Sequence, residues 1–168
     1  EIRFGKSLKT IGSFAFYRCK SLISLALPDS VKTLETGAFQ ECTALKNAVL
    51  GSGVKKLPIQ LFRGCTALET VETGKNLEVI GEQSFCLCRS LKNFEIPSEV
   101  YRIDKNAFLG CTSLTLDIPE DLEDQGDGSY RKKGGLKISG TYLYSEAEKV
   151  LTLVNQERGR LGLEPVEM

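Results

Sequence analysis

The sequence predicts a right-handed α/β solenoid of about five stacked 23-residue turns, with short strands on one face and a C-terminal helix. A short phrase ending in cysteine recurs five times, as AFYRC, AFQEC, LFRGC, SFCLC and AFLGC. Four apolar positions repeat at the same 23-residue step across more than 100 residues. Repeats of this size are typical of solenoids, because one repeat buries its apolar face only against its neighbours.

Composition sets broad limits on function. The 168 residues include 22 basic and 22 acidic side chains, so the formal net charge is zero. That balance argues against a general nucleic-acid or membrane-surface binder, which needs a basic excess. No apolar run is long enough to span a bilayer. The chain has neither an initial Met nor a signal peptide, so we expect it to be a fragment of a longer protein.

Each repeat is predicted to contain one strand. In SLISLALP at residues 21–28, Leu25 and Leu27 alternate with Ser24 and Ala26, the period of two of a strand. Pro28 then ends the strand. The four apolar series are Phe16, Phe39, Phe62, Phe85 and Phe108; Leu22, Leu45, Leu68, Leu91 and Leu114; Ile11, Leu34, Leu57, Ile80 and Ile103; and Leu8, Val31, Val54, Leu77 and Val100.

Between strands, the chain is predicted to make one short helical turn. In the second repeat this turn comprises Ala38, Phe39 and Cys42, with Phe39 and Cys42 on its inner side. Stacking would align the phenylalanines into one bulky column and the cysteines into a second, small column. Phe62 would lie at the centre of the phenylalanine column.

The cysteine column comprises Cys19, Cys42, Cys65, Cys88 and Cys111. The spacing favours structural free thiols, because a free cysteine packs as a small apolar residue. Disulfides between neighbouring turns are an alternative that distance allows, although ladder side chains point in parallel and five is an odd number. A metal site is disfavoured, because there is no histidine and a straight column of thiols does not converge tetrahedrally.

Cys86 lies outside the column and is predicted to be the reactive thiol. Its equivalents in the other repeats are Tyr17, Gln40, Arg63 and Leu109. A position that accepts such residues is not expected to be fully buried. The five column cysteines should instead be shielded from water and inert.

The phrases IGSFAFYRCKSLISLALP and IGEQSFCLCRSLKNFEIP resemble the BspA-like leucine-rich repeat, and the resemblance covers residues 1 to about 122. Such repeats are found mainly in surface and secreted proteins of bacteria. The resemblance therefore implies a binding or adhesion role, an extracellular or cell-surface location and no catalytic residues.

The C-terminal part departs from the repeat. Residues 123–144 are predicted to be a linker or a C-terminal cap, because the chain there is charged and rich in glycine. Residues 145–168 are predicted to form an amphipathic helix that begins with a capping box at Ser145 and Glu148. Its phrase VLTLVNQERGRLGLEPV resembles the first helix of bacterial CAP domains (cysteine-rich secretory protein, antigen 5 and pathogenesis-related proteins). The resemblance implies a parent protein that continues into such a domain.

We expect the chain to bind and not to catalyse. It has no histidine and no glycine-rich nucleotide loop, so we expect no enzyme activity, cofactor or metal. The outward strand positions align in two columns, which are Ser24, Asn47, Thr70 and Asn93, and Ala26, Val49, Glu72, Glu95 and Asp117.

We expect this face to recognise a protein or extracellular-matrix ligand, and neither nucleic acid nor a membrane. An ordinary solvated face is the alternative. A second functional hypothesis makes the solenoid a targeting arm or spacer of a secreted CAP-domain enzyme or effector.

Overall fold

The structure is a computed structural model that describes residues 2–133. Backbone contacts divide the chain into two units, Glu1–Gly135 and Leu136–Met168. The predicted C-terminal helix lies outside the described residues. The ten strands are β1 (Thr10–Ile11), β2 (Ser24–Ala26), β3 (Thr33–Leu34), β4 (Asn47–Val49), β5 (Lys56–Leu57), β6 (Thr70–Glu72), β7 (Val79–Ile80), β8 (Arg102–Ile103), β9 (Leu122–Asp124) and β10 (Tyr130–Lys132).

The predicted strand face is a parallel sheet of β2, β4 and β6. Its register advances by one repeat per strand, so that Ser24 pairs with Asn47 and Asn47 pairs with Thr70. Single bridges from Thr70 to Asn93 and from Asn93 to Thr115 carry the pairing into the following turns. The solenoid and its 23-residue step are thus confirmed.

A second row of short strands runs along another side of each turn, in addition to the predicted face. Here β1 pairs with β3, and β5, β7 and β8 pair in parallel order. Strands β1, β3, β5, β7 and β8 follow at 23-residue intervals and so enclose four complete turns. Their buried residues, such as Ile11 and Ile80, come from one of the apolar series found in the sequence.

The predicted short helical turn is wrong, because residues 2–133 contain no helix. Gly37 and Glu41 have φ values of 61° and 58°, and the equivalent two residues of the other turns also have positive φ. A left-handed residue cannot continue a right-handed helix. The chain instead makes successive tight turns, in which the Gln40 amide donates to the Gly37 carbonyl at 2.9 Å and the Phe39 amide donates to Leu61 of the next turn at 3.0 Å.

The core is a stack of columns along the solenoid. The rings of Phe16, Phe39, Phe62, Phe85 and Phe108 stack with successive centroid distances of 5.2, 5.7, 5.8 and 5.2 Å. The three central rings are fully buried. This packing confirms the phenylalanine column, since each ring fills space that its neighbours also line.

A β-hairpin follows the last turn. Strands β9 and β10 pair with each other, and β10 pairs antiparallel with β8 through Tyr130 and Ile103. At the tip, the Asp127 carboxylate accepts hydrogen bonds from the Ser129 amide at 3.0 Å and the Ser129 hydroxyl at 2.6 Å. Strand β10 therefore continues the second sheet with its direction reversed, and it lies within residues 123–144, the segment expected to be a linker or cap.

Candidate functional site

The outward face of the β2–β4–β6 sheet presents both predicted columns to solvent. All eight proposed binding residues are exposed, which are Ser24, Asn47, Thr70, Asn93, Val49, Glu72, Glu95 and Asp117. Between them, the inward residues Leu25, Ala48 and Val71 are buried. The alternation of exposed and buried positions results from the strand pleat, which sends successive side chains to opposite faces.

The first column is a row of small polar groups in parallel register. The Thr70 hydroxyl donates to the Asn47 Oδ1 at 2.8 Å. The bridge from Asn93 to Thr115 adds Thr115 to the row, a residue that sequence reasoning missed. The last repeat is one residue shorter, so Thr115 falls 22 and not 23 residues after Asn93. Allowing for this shortening in the sequence would have placed Thr115 in the polar column.

The second column becomes acidic toward its C-terminal end. Glu72, Glu95 and Asp117 are exposed, and within residues 2–133 none of the three carboxylates has an ion-pair partner. Beside them lies a shallow cavity of about 790 Å³, whose lining includes Glu72, Glu95, Lys75 and Asp121. The three carboxylates of this column give this edge of the face an acidic character, which Lys75 in the cavity lining partly offsets.

A charged row lies next to the polar column. The Lys92 ammonium pairs with the Glu69 carboxylate at 3.0 Å across neighbouring turns. The hydrogen bond from Lys92 lowers the pKa of Glu69. This pair neutralises itself, so the unpaired acidic charge of the face is confined to the second column.

The cysteine column is a ladder of thiol hydrogen bonds. Each thiol from Cys42 onward donates to the carbonyl of the phenylalanine in the preceding turn, as Cys65 does to Phe39 at 3.1 Å; the others are Cys42 to Phe16, Cys88 to Phe62 and Cys111 to Phe85. The same carbonyls accept an amide within their own turn, as Phe39 does from the Cys42 amide. The ladder therefore links successive turns through free thiols.

Burial raises the pKa of most ladder thiols, whereas hydrogen bonding with Cys65 lowers the pKa of Cys42. Cys42, Cys65 and Cys88 are fully buried, whereas Cys19 and Cys111 at the ends are half-buried. Burial raises the pKa of Cys88 well above its usual value and raises the pKa of Cys111 to about 11. The hydrogen-bonded Cys42 thiol and burial together raise the pKa of Cys65. Because thiolates are the nucleophilic form, the thiols with raised pKa values are poor nucleophiles near neutral pH, and Cys42 is shielded by its full burial.

The exposure expected for Cys86 is wrong, because this residue is only 6% exposed. Exposure at its equivalents depends on their place in the stack: Tyr17 and Leu109 in the outer turns are 40% and 57% exposed, whereas Gln40 is 8% exposed. A neighbouring turn on each side covers the inner members of the column. The reactivity of Cys86 stays a prediction, without the exposure on which it rested.

Two further observations limit what the described part contains. Among residues 2–133, no three histidine, cysteine, aspartate or glutamate side chains are grouped so that they could hold a metal ion. Within that same range the chain forms no helix with the length and apolar character needed to cross a membrane.

A sequence profile of the BspA type leucine rich repeat region matches residues 1–134 in six copies. The chain belongs to the BspA-type leucine-rich repeat family. The match begins with the first residue and extends beyond β10, so it includes the hairpin that follows the last turn. No curated protein is significantly similar to the chain.

Solved structures of other leucine-rich repeat proteins are similar to this fold. A leucine-rich repeat protein from Eubacterium ventriosum is 25% identical with a TM-score of 0.64, over 77% of this chain and 41% of that one. A leucine rich cell surface protein from Faecalibacterium prausnitzii is 29% identical with a TM-score of 0.62, over 76% of this chain and 34% of that one. The chain therefore spans well under half the length of these relatives.

The resemblance of residues 145–168 to a CAP domain has no support from these comparisons. The BspA-type match ends at residue 134, and the segment lies outside the described residues. The family is one of repeat proteins, and the spacer hypothesis, which depends on a CAP domain, has no observation in its favour.

Proposed function

We propose that this chain is the binding module of a secreted or cell-surface bacterial protein, and that the β2–β4–β6 face recognises a protein or extracellular-matrix ligand. The observation that carries the proposal is the pair of exposed, registered columns on a parallel sheet. Repeat proteins use such extended surfaces for recognition. The cell-surface description of the Faecalibacterium prausnitzii relative supports the location.

The acidic column supplies the electrostatic part of recognition. Glu72, Glu95 and Asp117 are exposed and line up along one side of the face, with the 790 Å³ cavity beside two of them. A basic patch on the partner would be steered toward this column and held in register by it. The polar column, with its hydroxyl and amide groups, would add directional hydrogen bonds to the same partner.

Charge reversal tests the proposal. A triple variant, Glu72→Lys, Glu95→Lys and Asp117→Lys, inverts the column while leaving the inward side chains unchanged. The control triple variant, Glu99→Lys, Glu120→Lys and Glu123→Lys, makes the same change of net charge at exposed acids outside the two columns. Both proteins should fold like the wild type, because all six side chains are exposed.

The assay is capture of purified extracellular-matrix proteins and of host-cell extract proteins on immobilised wild-type chain and both variants. We expect the column variant to lose captured partners that the control variant retains. Wild-type capture should weaken as salt is added, because exposed charges are screened. Equal capture by the column and control variants would place the binding surface elsewhere.

We also propose that the chain has no catalytic activity of its own. Nothing in the sequence supplies a histidine base, and the ladder thiols that would act as nucleophiles are buried or have raised pKa values. Hydrolysis of peptide, ester or glycoside substrates by the purified chain, above the rate of a heat-unfolded sample, would contradict this.

A further inference from the structure

A second charged site lies on the other row of strands, against the C-terminal hairpin. A cleft of about 590 Å³ opens there between the β5–β7–β8 strands and the β9–β10 hairpin. Its cationic side chains are Lys56, Arg102, Lys105 and Arg131. The register places Arg131 beside Arg102 and places Val79 between Lys56 and Arg102. The hairpin therefore adds a cation to a row that the repeats already make basic.

One carboxylate holds the two guanidinium groups side by side. Asp104 Oδ2 lies 3.3 Å from Arg102 Nη2, and its Oδ1 lies 3.3 Å from Arg131 Nη2. Arg131 Nη1 also donates to the carbonyls of Ile103 and Tyr130, each at 3.0 Å. Backbone carbonyls therefore hold Arg131 in place. Of the three guanidinium nitrogens of Arg102, Nη2 alone has a partner within residues 2–133.

The acids of the cleft are mostly engaged. Asp104 is shared between the two arginines, and Asp127 accepts the amide and hydroxyl of Ser129 at the hairpin tip. Glu82 is the remaining acid of the lining. Lys56 and Lys105 are exposed and have no ion pair among the described residues. Four cations therefore face three acids, which leaves the lining one positive charge in excess, and Lys56 and Lys105 are the two cations without an ion pair among residues 2–133.

The floor of the cleft is apolar. Val79 occupies an outward strand position but is only 3% exposed, because its neighbours enclose it. Ile59 at the rim is 48% exposed, and Pro58 and Leu57 also contribute to the lining. Apolar surface next to a few convergent polar groups is the usual composition of a ligand site.

We infer that this cleft binds an acidic peptide segment that carries an apolar side chain next to a carboxylate. The carboxylate lies against Arg102 and Arg131, whose planar guanidinium groups match carboxylate geometry. The apolar side chain lies on Ile59 and Pro58. Lys56 and Lys105 at the rim attract the next acidic residues of the segment. This inference rests on the hairpin side of the molecule and is independent of the function proposed for the β2–β4–β6 face.

The probe is a fluorescein-labelled pentapeptide of alternating glutamate and leucine, with the glutamine–leucine version as its neutral counterpart. Binding to the full chain is measured by fluorescence anisotropy at low salt. We expect saturable binding of the acidic peptide with a Kd below about 1 mM. The double variant Lys56→Gln and Arg102→Gln should bind at least about tenfold more weakly. Arg131 is left in place because it also holds the hairpin.

The matched control is the double variant Lys9→Gln and Lys32→Gln, which removes the same charge from exposed positions in the first two turns. It should bind like the wild type, and the triple variant at Glu72, Glu95 and Asp117 should also keep the peptide. The inference would be overturned if the glutamine peptide bound more tightly than the glutamate peptide. It would also be overturned if the cleft double variant and the control double variant lost the same amount of peptide affinity. Stronger, cleft-dependent binding of a sulfated oligosaccharide would make the occupant a glycan and would also overturn it.

Discussion

Replacing Phe62 by alanine should be among the most damaging single changes to the solenoid. The ring is fully buried and stacks between Phe39 at 5.7 Å and Phe85 at 5.8 Å. Truncating a buried phenylalanine removes its transfer free energy and leaves a cavity, at a cost of about 3–5 kcal/mol. A domain of this size is stable by only about 5–15 kcal/mol, so the loss is a large fraction of the total. The turns on both sides should loosen with it, because each turn depends on its neighbours.

Urea unfolding followed by circular dichroism measures this cost. With a slope of about 2 kcal/mol per M, the Phe62→Ala midpoint should fall by about 2 M. Leu109→Ala is the control, because Leu109 is 57% exposed and its loss should cost no more than about 0.5 kcal/mol. A midpoint shift no larger than that of the control would refute the stacked-column account of the core.

Three further predictions concern the ladder and the close contacts between turns. Cys65→Ala removes a thiol donor and should cost about 1–2 kcal/mol in urea unfolding, whereas Cys65→Ser keeps a donor and should cost less. Gly53→Ala would push a methyl group into two backbone carbonyl oxygens of the preceding turn, so the melting temperature of this variant should fall by several degrees. The control is Gly5→Ala, which should melt like the wild type because there is open space around Gly5. In thiol labelling of the native protein, Cys111 should react about 100-fold more slowly at pH 8 than a free thiol, because its pKa is raised to about 11. The labelling rate of Cys111 should rise as the pH approaches this pKa. The same labelling tests the predicted reactivity of Cys86, which labelling of that thiol only after unfolding would contradict.

The repeat pattern was enough to predict the solenoid and much of its core. A period of 23 residues is typical of a solenoid, in which equivalent residues of successive turns stack on one another. Phe62 and Cys65 were therefore expected to lie in continuous columns. The alternation of Ser24 and Leu25 identified which strand residues face solvent, because the pleat has a period of two. The exposed columns of the candidate face follow from those two periods alone.

The conformation between the strands could not be predicted in the same way. Gln60 and Leu87 have φ values of 59° and 64°, although neither residue type prefers the left-handed region. Hydrogen bonds to the next turn hold them there, since the Gln60 amide donates to Glu82 and the Leu87 amide donates to Leu109. A helical turn was therefore a reasonable prediction from local pattern and was overridden by pairing between turns.

By itself, the sequence determined the period, the buried columns and the outward face, because each follows from residues that recur at equal spacing. Only the tertiary structure decided the burial of Cys86 and the composition of the basic cleft. Burial at one repeat position changes from the outer turns to the inner ones, so equivalent residues do not share an environment. The cleft joins Lys56 and Arg102, which are two turns apart, with Arg131 of a hairpin that reverses the strand direction. No repeat relates Arg131 to the others, and antiparallel pairing alone brings it beside Arg102.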